Sequence, residues 1–363
     1  MLSLLKVVIW MKTKVIYLVG LMNGGGVESV IMNYALNLDR DKFEFVFLTS
    51  ESSTRVPYEK IKSLNAELIL LPDYYKAKKE YIKKLFEVLK KNRDAIFHCN
   101  YLSPLPFFIA KFAGVKNIIA HSHAFQERVN FKHKIRRFLV SSFANRYFAC
   151  GQKAGEYVFK NKPFAIINNA INLERFKFSE NTRESLKKEL NLEDKIVIGH
   201  IGRFSFEKNH KFLLDIFKKV LDKNPSFHLV LVGDGELFSE AKEQAKSLEI
   251  YENISFIGNS DKANEYYNSF DIFVLPSLHE GFGMVLVEAQ ANGLKCLAST
   301  GVSKETQILS NLEFLELDSE IWSEKILNAN LKREENSLEM VKNRGFDIAT
   351  EAKKLEQIYL EFV

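Results

Sequence analysis

Two hydrophobic periodicities alternate along the chain and predict alternating strands and helices. Short runs rich in Val, Ile, Leu and Phe are separated by longer stretches whose apolar residues recur at helical spacing. The predicted strands of the first half are 14–19, 44–49, 67–71, 95–99, 117–121, 146–150 and 164–167. The clearest predicted helices there are 27–38, 76–92 and 132–144. This alternation favours a parallel sheet with helices on both faces.

A polar, turn-forming stretch that starts at Asn168 interrupts this series and predicts an interdomain linker. A second series follows, with predicted strands at 195–201, 227–232, 253–257, 271–275 and 294–298. Its predicted helices are 208–222, 236–248, 261–269 and 284–292, and a last helix covers 347–362. The length of 363 residues suits two α/β domains, which implies a cleft between them.

Composition narrows the class of protein only slightly. The apolar fraction of 46% and the charged fraction of 27% are typical of a globular protein. A net charge of +5 is mild for a nucleic-acid binder, so no nucleic-acid partner is predicted. It fits an enzyme that handles phosphate esters or touches an anionic membrane. Cys99, Cys150 and Cys296 are widely spaced, which predicts buried thiols in a reducing, cytoplasmic compartment.

The apolar start of the chain predicts neither a membrane span nor a signal peptide. Lys6, Lys12 and Lys14 interrupt it, and no small-residue cleavage site follows. Met11 stands directly before the first predicted strand and is interpreted as the natural start of the protein. Residues 1–10 are then an extension that precedes this start.

The segment from Leu275 to Ala289 carries the most informative motif. It reads LPSLHEGFGMVLVEA, a strand followed by a Gly-bearing loop and a helix, with Glu280 and Glu288 separated by seven residues. A helix that begins near Gly283 directs its unpaired N–H groups at a phosphate. Glu288 then lies about 7.5 Å along the helix, roughly the distance from a diphosphate to a ribose. An isolated pair of glutamates on a capped surface helix is the alternative, but a charge among apolar residues is costly unless it faces a polar ligand.

A second motif follows the predicted strand at 195–201. Arg203 and Lys208 lie on the loop after Gly202, where a guanidinium and an ammonium can clamp a diphosphate and stabilise the charge of a departing nucleotide. Two solvated surface cations are the alternative. The turn Gly233–Asp234–Gly235–Glu236 lacks the dinucleotide-binding spacing and predicts a turn before a helix.

The first half adds a Gly-rich turn and a histidine pair. Gly25 and Gly26 follow the first strand at a helix start, where glycine lets a backbone approach a ligand closely. His121 and His123 end a buried strand and share one of its faces. They suit contact with a reacting sugar, with purely structural histidines as the alternative, and zinc is disfavoured because no third ligand is near in sequence.

A basic helix after the histidines predicts contact with an anionic membrane surface. Residues 128–139 combine six basic or histidine side chains with Phe131, Ile135, Phe138 and Leu139. Basic amphipathic helices can lie in the headgroup region. Burial of the aromatic residues in the domain core is the alternative.

Taken together, these motifs resemble the retaining glycosyltransferases of family 4, which have the GT-B fold, and especially their bacterial capsule and exopolysaccharide branch. The resemblance extends over nearly the whole chain from Met11. It implies an N-terminal Rossmann-like acceptor domain at 11–169, a donor domain at 170–346, and a C-terminal helix at 347–363 that crosses back to the first domain. The function it implies is retaining transfer of a hexose from a nucleoside-diphosphate sugar, UDP being the expected nucleotide, to a saccharide acceptor of capsule, exopolysaccharide or lipopolysaccharide.

The resemblance also implies roles for individual residues. Catalytic roles fall to His123 and Glu280, and Gly25, Gly26 and His121 line the acceptor side of the cleft. The residues implied in donor binding are Arg203, Lys208, Phe282, Gly283, Met284 and Glu288. No cofactor or metal is expected, the acceptor is either free or lipid-linked, and the protein is either free in the cytoplasm or peripheral on the inner face of the membrane. One departure, Asn172 in place of a common Asp, affects the hinge.

Two other functions stay open on the sequence. A nucleotide-sugar epimerase can share the fold but performs acid–base chemistry on one substrate. A catalytically silent subunit of a polysaccharide assembly complex is the second alternative, although it would not need the full set of Arg203, Lys208, Glu280 and Glu288.

Overall fold

The computed structural model describes residues 12–123 and 131–362, apart from the side chain of Lys132. Residues 1–11, which include Met11 and the interpreted extension, lie outside this part of the chain, as do residues 128–130 of the predicted basic helix. Contacts divide the protein into two units: the residues up to Ala170 together with those from Ile348, and Ile171–Asp347.

The first unit is built on a sheet of seven parallel strands. The strands are β1 (Thr13–Gly20), β2 (Phe43–Ser50), β3 (Glu67–Leu71), β4 (Ile96–Cys99), β5 (Asn117–Ser122), β6 (Arg146–Ala149) and β7 (Ala165–Ile166), in the spatial order β3-β2-β1-β4-β5-β6-β7. The helices are α1 (Gly26–Asn37), α2 (Tyr58–Ser63), α3 (Lys78–Lys91), α4 (Pro104–Ala113), α5 (Phe131–Phe143) and α6 (Gln152–Phe159). Central strands such as β1 and β4 are buried on both faces because helices cover both sides of the sheet.

The second unit repeats this architecture with six parallel strands. They are β8 (Ile196–Ile201), β9 (Phe227–Val232), β10 (Ile254–Gly258), β11 (Ile272–Leu275), β12 (Lys295–Ser299) and β13 (Leu312–Leu315), in the order β10-β9-β8-β11-β12-β13. The helices are α7 (Glu180–Glu189), α8 (His210–Lys223), α9 (Phe238–Ser247), α10 (Ala263–Tyr266), α11 (Met284–Ala291), α12 (Ser319–Leu327) and α13 (Ser337–Val341). In each sheet the strand order reverses beside the first strand, where parallel α/β sheets bind ligands at their carboxyl ends.

The last helix, α14 (Ile348–Leu360), returns to the first unit. Its buried side chains include Ala352, Leu355 and Tyr359, and the Tyr359 hydroxyl lies 3.1 Å from the hydroxyl of Tyr17 in β1. This helix therefore completes the core of a domain whose other elements all end by Ile166 of β7, before the whole second unit begins.

The predicted alternation of strands and helices is confirmed, with several elements added. Helices α2, α4, α6, α12 and α13 and strand β13 were not predicted. The α4 segment, PLPFFIAKFA, is apolar almost throughout, so it shows no clear helical stripe. Cys99, Cys150 and Cys296 are all buried, as expected. None of the helices in the described ranges is long and apolar enough to cross a membrane.

Candidate functional site

Two neighbouring strands of the second unit, β8 and β11, deliver most of the predicted donor-site residues. The loop after β8 carries Arg203 and Lys208, and the loop after β11 carries Glu280. The loops are joined by a hydrogen bond from the Leu278 N–H to the Glu207 carbonyl at 2.7 Å. Residues separated by more than 70 positions therefore meet at one edge of the sheet.

Lys208 and Glu280 form an ion pair in this structure. The Lys208 ammonium donates to Oε2 of Glu280, and both side chains are mostly buried, with 18% and 20% of their surface exposed. The Glu280 backbone is held by its N–H, which donates to the Gly301 carbonyl at 3.1 Å. A phosphate that binds Lys208 must therefore share this cation with a carboxylate.

Arg203 is paired differently. Its Nε and a terminal nitrogen lie 3.1 and 3.0 Å from Oε2 of Glu236, and both side chains are exposed. Glu236 belongs to the predicted turn, which packs tightly against the Arg203 loop. A side chain on Gly233 would place its Cβ 2.0 Å from the Gly202 carbonyl oxygen, so only glycine permits this contact between the loops.

Helix α11 begins at Met284, next to Gly283, as the motif predicts. Gly283 has a φ of 73°, in the left-handed region that favours glycine, and a Cβ there would lie 3.2 Å from Cγ of Glu280. Phe282 is buried against Phe346, with ring centroids 5.7 Å apart. In the first turn of this helix the Leu286 N–H donates to the Gly283 carbonyl at 2.9 Å, whereas the N–H groups of Met284 and Val285 precede any carbonyl of the helix and can bind an anion.

Glu288 lies on α11 and accepts a hydrogen bond at 2.7 Å from the Tyr267 hydroxyl, which is buried. Burial raises the pKa of Glu288 above its ordinary value, whereas the hydrogen bond from Tyr267 and the charge of Arg175 lower it. The carboxylate is thus oriented by a neighbour and retains a second oxygen for another partner.

In the first unit, the backbone N–H groups of the Gly-rich turn are hydrogen-bonded to a carboxylate of the same chain. Gly25 caps α1 and Gly26 is its first residue. The Glu28 carboxylate accepts from the N–H groups of Asn23, Gly24 and Gly25 at 2.9, 2.7 and 2.9 Å. A ligand that used these N–H groups would have to displace Glu28.

The predicted histidine pair forms part of a buried polar cluster. The rings of His121 and His123 lie 4.0 Å apart, at and just beyond the end of β5. His98, at the neighbouring end of β4, places Nε2 2.9 Å from Nδ1 of His121, while Nε2 of His123 lies 2.7 Å from Oδ1 of Asn100. No group of three or more His, Cys, Asp or Glu within residues 12–123 and 131–362 is arranged to hold a metal ion.

All three imidazoles are held in their neutral form. Burial lowers the pKa of His98 to about 3 and that of His121 well below the ordinary 6.5. Burial also lowers the pKa of His123 to about 4, and a neighbouring side chain, Asn169, opposes this shift by favouring the charged ring. A neutral imidazole has one donor and one acceptor nitrogen, which suits contact with hydroxyl groups.

Helix α5 carries several aromatic and aliphatic side chains on the surface. Phe131, Ile135 and Phe138 are 74%, 45% and 69% exposed. The alternative that these side chains fill the core is therefore wrong. On neighbouring α4, Phe108 and Phe112 are also exposed, with ring centroids 4.3 Å apart.

Comparison with known proteins identifies the family. Residues 181–342 match the family described as "Glycosyl transferases group 1", and residues 24–175 match "Glycosyltransferase Family 4". The chain is 30% identical over 336 residues to the putative glycosyltransferase EpsF of Bacillus subtilis, with 87% of each chain covered. The chain belongs to the group 1 glycosyltransferases.

Other similarities are more distant but extend over nearly the full length. The UDP-Gal:alpha-D-GlcNAc-diphosphoundecaprenol alpha-1,3-galactosyltransferase of Escherichia coli is 23% identical, with 93% of this chain and 94% of that protein covered. The crystal structure of Anabaena Alr3699/HepE in complex with UDP and glucose superposes with a TM-score of 0.80 at 17% identity, covering 95% of this chain and 99% of that one. The predicted fold class, α/β with two Rossmann-like domains of the GT-B type, is confirmed.

Four neighbours of the predicted residues were not identified from the sequence. His98 lies in β4 and Asn100 directly follows that strand, so their place next to the end of β5 could have been inferred from the strand pattern. Glu236 and Tyr267 lie far from their partners in sequence and carried no comparable signal.

Proposed function

We propose that the protein is a retaining hexosyltransferase that uses a UDP-sugar and a saccharide acceptor in the biosynthesis of a surface polysaccharide. The observation that carries this proposal is the convergence of Lys208, Glu280 and the start of α11 at the carboxyl ends of β8 and β11. The cations and the helix N-terminus suit a diphosphate, and Glu288 suits ribose hydroxyls. The E. coli relative is named for a UDP-Gal donor, and HepE was crystallised with UDP and glucose, which supports this choice of nucleotide.

In the proposed reaction the acceptor hydroxyl attacks the anomeric carbon on the face that the diphosphate leaves. The bond between that carbon and the phosphate oxygen breaks, and the hydroxyl proton passes to the departing phosphate. Arg203, Lys208 and the α11 N-terminus stabilise the charge that develops on UDP. Glu280 and the backbone around Phe282, Gly283 and Met284 hold the donor sugar and phosphate. His123 contacts the reacting sugar, with His121, Gly25 and Gly26 on the acceptor side.

The donor site is tested by calorimetric titration with UDP. Glu288→Ala and Arg203→Ala should each weaken binding by about tenfold or more, because each removes a charged hydrogen-bonding partner. Glu240→Ala, an exposed carboxylate on α9, is the matched control and should bind UDP normally. Unchanged affinity in both site variants would contradict the assignment. Product analysis with and without acceptor separates transfer from epimerisation.

The proposal includes activity without a metal ion. Arg203, Lys208 and the α11 N-terminus supply positive potential to the diphosphate, and residues 171–347 contain no Asp-x-Asp pair to hold a cation there; the pair Asp39 and Asp41 lies in the first unit, between α1 and β2. Transfer should therefore continue at an undiminished rate in excess EDTA. A loss of activity that magnesium or manganese restores would show that the cationic side chains are insufficient.

The surface of α5 and α4 supports a further part of the proposal, an anionic membrane as partner and a lipid-linked acceptor. Exposed Phe131, Phe138 and Phe112 lie among the cations Lys134, Arg136 and Lys111. Aromatic side chains can enter the headgroup region while basic ones contact anionic lipid. The diphosphoundecaprenol in the name of the E. coli relative is consistent with such an acceptor.

A further inference from the structure

The carboxyl end of β8 carries a buried histidine whose ring reaches the neighbouring strand. The pairing of β8 with β11 ends at Gly199 and Phe273. One residue further along each strand, Nδ1 of His200 lies 2.9 Å from the Val274 carbonyl oxygen, and the His200 side chain is completely buried. The ring therefore joins the two strands where their ladder ends, directly before the loops that carry Lys208 and Glu280.

The bond to Val274 fixes the position of the ring hydrogen. A carbonyl oxygen can only accept, so Nδ1 of His200 carries the hydrogen. Burial lowers the pKa of His200 to about 4, so the ring has a single N–H at neutral pH. Nε2 is therefore a bare acceptor, and it is buried without a hydrogen-bond partner among residues 12–123 and 131–362. A buried acceptor without a partner is costly, which favours a state of the site in which a donor reaches it.

The neighbours of Nε2 indicate which donor this is. A Cβ added to Gly202 would lie 3.1 Å from Nε2 of His200 and 3.6 Å from both Cδ and Cε of Lys208, so these atoms border the same small space. The ring of His210 meets that of His200 edge-on at 4.8 Å, but it is stacked on Phe204 at 3.8 Å and cannot turn freely. Lys208 is the flexible neighbour, since its carbon chain rotates and its ammonium has three hydrogens to donate.

The ion pair of Lys208 with Glu280 leaves neither side chain free for a sugar donor. The carboxylate cancels the charge of the ammonium, and the ammonium occupies a carboxylate oxygen. A neutral imidazole accepts a hydrogen bond without cancelling that charge. Lys208 held by His200 therefore presents its full charge to a diphosphate, and Glu280 is released for a sugar hydroxyl.

We propose that His200 is a positioning residue that accepts the Lys208 ammonium when Glu280 is released. The ammonium turns from Oε2 of Glu280 to Nε2 of His200 and keeps its other two hydrogens for the diphosphate. Gly202 has no side chain to obstruct this movement. The role in donor binding rests on the proposed function, whereas the second position of Lys208 is a property of the protein alone.

The second position is tested without any ligand, by a long-range proton–nitrogen correlation spectrum of the full chain labelled with ¹⁵N-histidine at pH 7.5. The wild-type protein should show His200 protonated on Nδ1 with a bare Nε2, and loss of these signals in His200→Asn or His200→Gln assigns them. Glu280→Ala removes the carboxylate, so Lys208 should turn to His200. The Nε2 resonance should then move upfield, as that of a bare ring nitrogen does when it accepts a hydrogen bond.

The control for this spectrum combines Glu280→Ala with Lys208→Met, which lacks the ammonium and should keep the wild-type Nε2 resonance. A His200 ring protonated on Nε2, or a resonance that Glu280→Ala leaves unchanged, would overturn the proposal. The same upfield shift in the double variant would also overturn it, because the donor would then be His210 or a water molecule.

Calorimetric titration with UDP tests the role in donor binding. His200→Asn keeps an amide hydrogen for the Val274 carbonyl but has no acceptor at the position of Nε2. It should weaken UDP binding by about fivefold to tenfold, the equivalent of one hydrogen bond. His200→Gln places an amide oxygen near that position and should retain most of the affinity. In the Lys208→Met background, His200→Asn should have no further effect, since the acceptor acts only through the ammonium.

The matched control is His228→Asn, which changes a buried imidazole of the adjacent strand β9 that contacts the Ser255 hydroxyl. It should bind UDP with wild-type affinity. Equal weakening by His228→Asn, or additive effects of His200→Asn and Lys208→Met, would overturn the role of His200 in donor binding. If the wild-type protein does not bind UDP, the proposed function fails, while the ligand-free spectrum still decides whether His200 is a second partner of Lys208.

Discussion

At the residue scale, Arg203 and Lys208 of the candidate donor site are each paired with a carboxylate. Lys208 pairs with Glu280 in a mostly buried contact, and Arg203 pairs with Glu236 on the surface. The buried pair avoids the cost of an uncompensated charge. The exposed pair contributes little to stability, so Arg203 can change partners readily.

We therefore expect Glu236 to compete with the diphosphate for Arg203. Glu236→Gln should strengthen UDP binding by about twofold to fivefold, because it removes a negative charge 3.0 Å from the guanidinium without changing the size of the side chain. Calorimetric titration with UDP at low and high salt measures the effect, which should shrink as salt screens the charges.

The charge-matched control is Glu240→Gln on the adjacent helix, which makes the same change in net charge. If both variants bind UDP equally well, the gain comes from net charge and the competition by Glu236 is disproved. Weaker binding in Glu236→Gln would instead mean that Glu236 orients Arg203 for the ligand.

At the element scale, α5 and α4 have an unusual surface for helices that cover a sheet. Val140 of α5 is buried and Phe143 packs on the core, while Phe131, Ile135 and Phe138 are exposed. Arg137 does not belong to the free surface, since it lies over the Tyr157 ring at 4.8 Å and donates to the carbonyl of that residue. The candidate membrane surface is thus formed by exposed aromatic residues and by cations such as Lys134.

The membrane proposal predicts sedimentation of the protein with anionic vesicles at low salt. Phe131→Ser/Phe138→Ser should reduce the bound fraction severalfold, because two exposed aromatic rings no longer enter the headgroup region. Lys134→Glu should weaken binding in a salt-dependent way. UDP affinity should stay at the wild-type value in all these variants.

Controls come from exposed positions elsewhere in the first unit. Tyr75→Ser removes a ring that is 87% exposed, and Lys79→Glu reverses an exposed charge on α3. Neither should change sedimentation. A wild-type protein that ignores anionic vesicles would exclude the membrane as partner and leave the transferase proposal intact.

At the scale of the whole molecule, six histidines in two separate cores are held neutral by burial. The pKa falls to about 4 in His123, His200 and His228, to about 3 in His98 and about 2 in His210, and it is lowered well below 6.5 in His121. The unfolded chain therefore binds more protons than the folded one below the ordinary pKa of 6.5.

We expect the stability of the protein to fall as the pH decreases from 6.5 towards 4. The stabilisation is complete above the unfolded pKa and is lost progressively below it, since folding then excludes protons that the unfolded histidines bind. Glu288 has the opposite effect on stability, because burial raises its pKa, but it is one group against six histidines. Calorimetric Tm values at pH 7.5, 6.5 and 5.5 measure the dependence.

His228→Gln tests the origin of this dependence. It removes one buried imidazole, which contacts the Ser255 hydroxyl at 2.9 Å, and should reduce the loss of Tm between pH 7.5 and 5.5. A Tm that is constant across this range in the wild-type protein would contradict the prediction.

The sequence by itself determined the alternation of strands and helices and the motifs at strand ends. Buried parallel strands are apolar runs, and amphipathic helices have a clear period, so local pattern was sufficient for elements such as β8 and α11. The sequence pattern did not predict α4, whose outer face exposes Phe108 and Phe112. Because both faces of this helix are apolar, the sequence shows no helical alternation of apolar and polar residues. The position of Gly283 before α11 was predictable, since a helix start and a left-handed turn are local features.

Only the tertiary structure decided which side chains meet. Glu28 occupies the N–H groups of the Gly-rich turn, Glu236 pairs with Arg203, and Tyr267 orients Glu288. Tyr359 joins the histidine cluster from a helix 261 residues after His98 in the chain. Such contacts depend on the three-dimensional packing of distant segments and on burial, which shifts the pKa of each group, and no local period in the sequence records either.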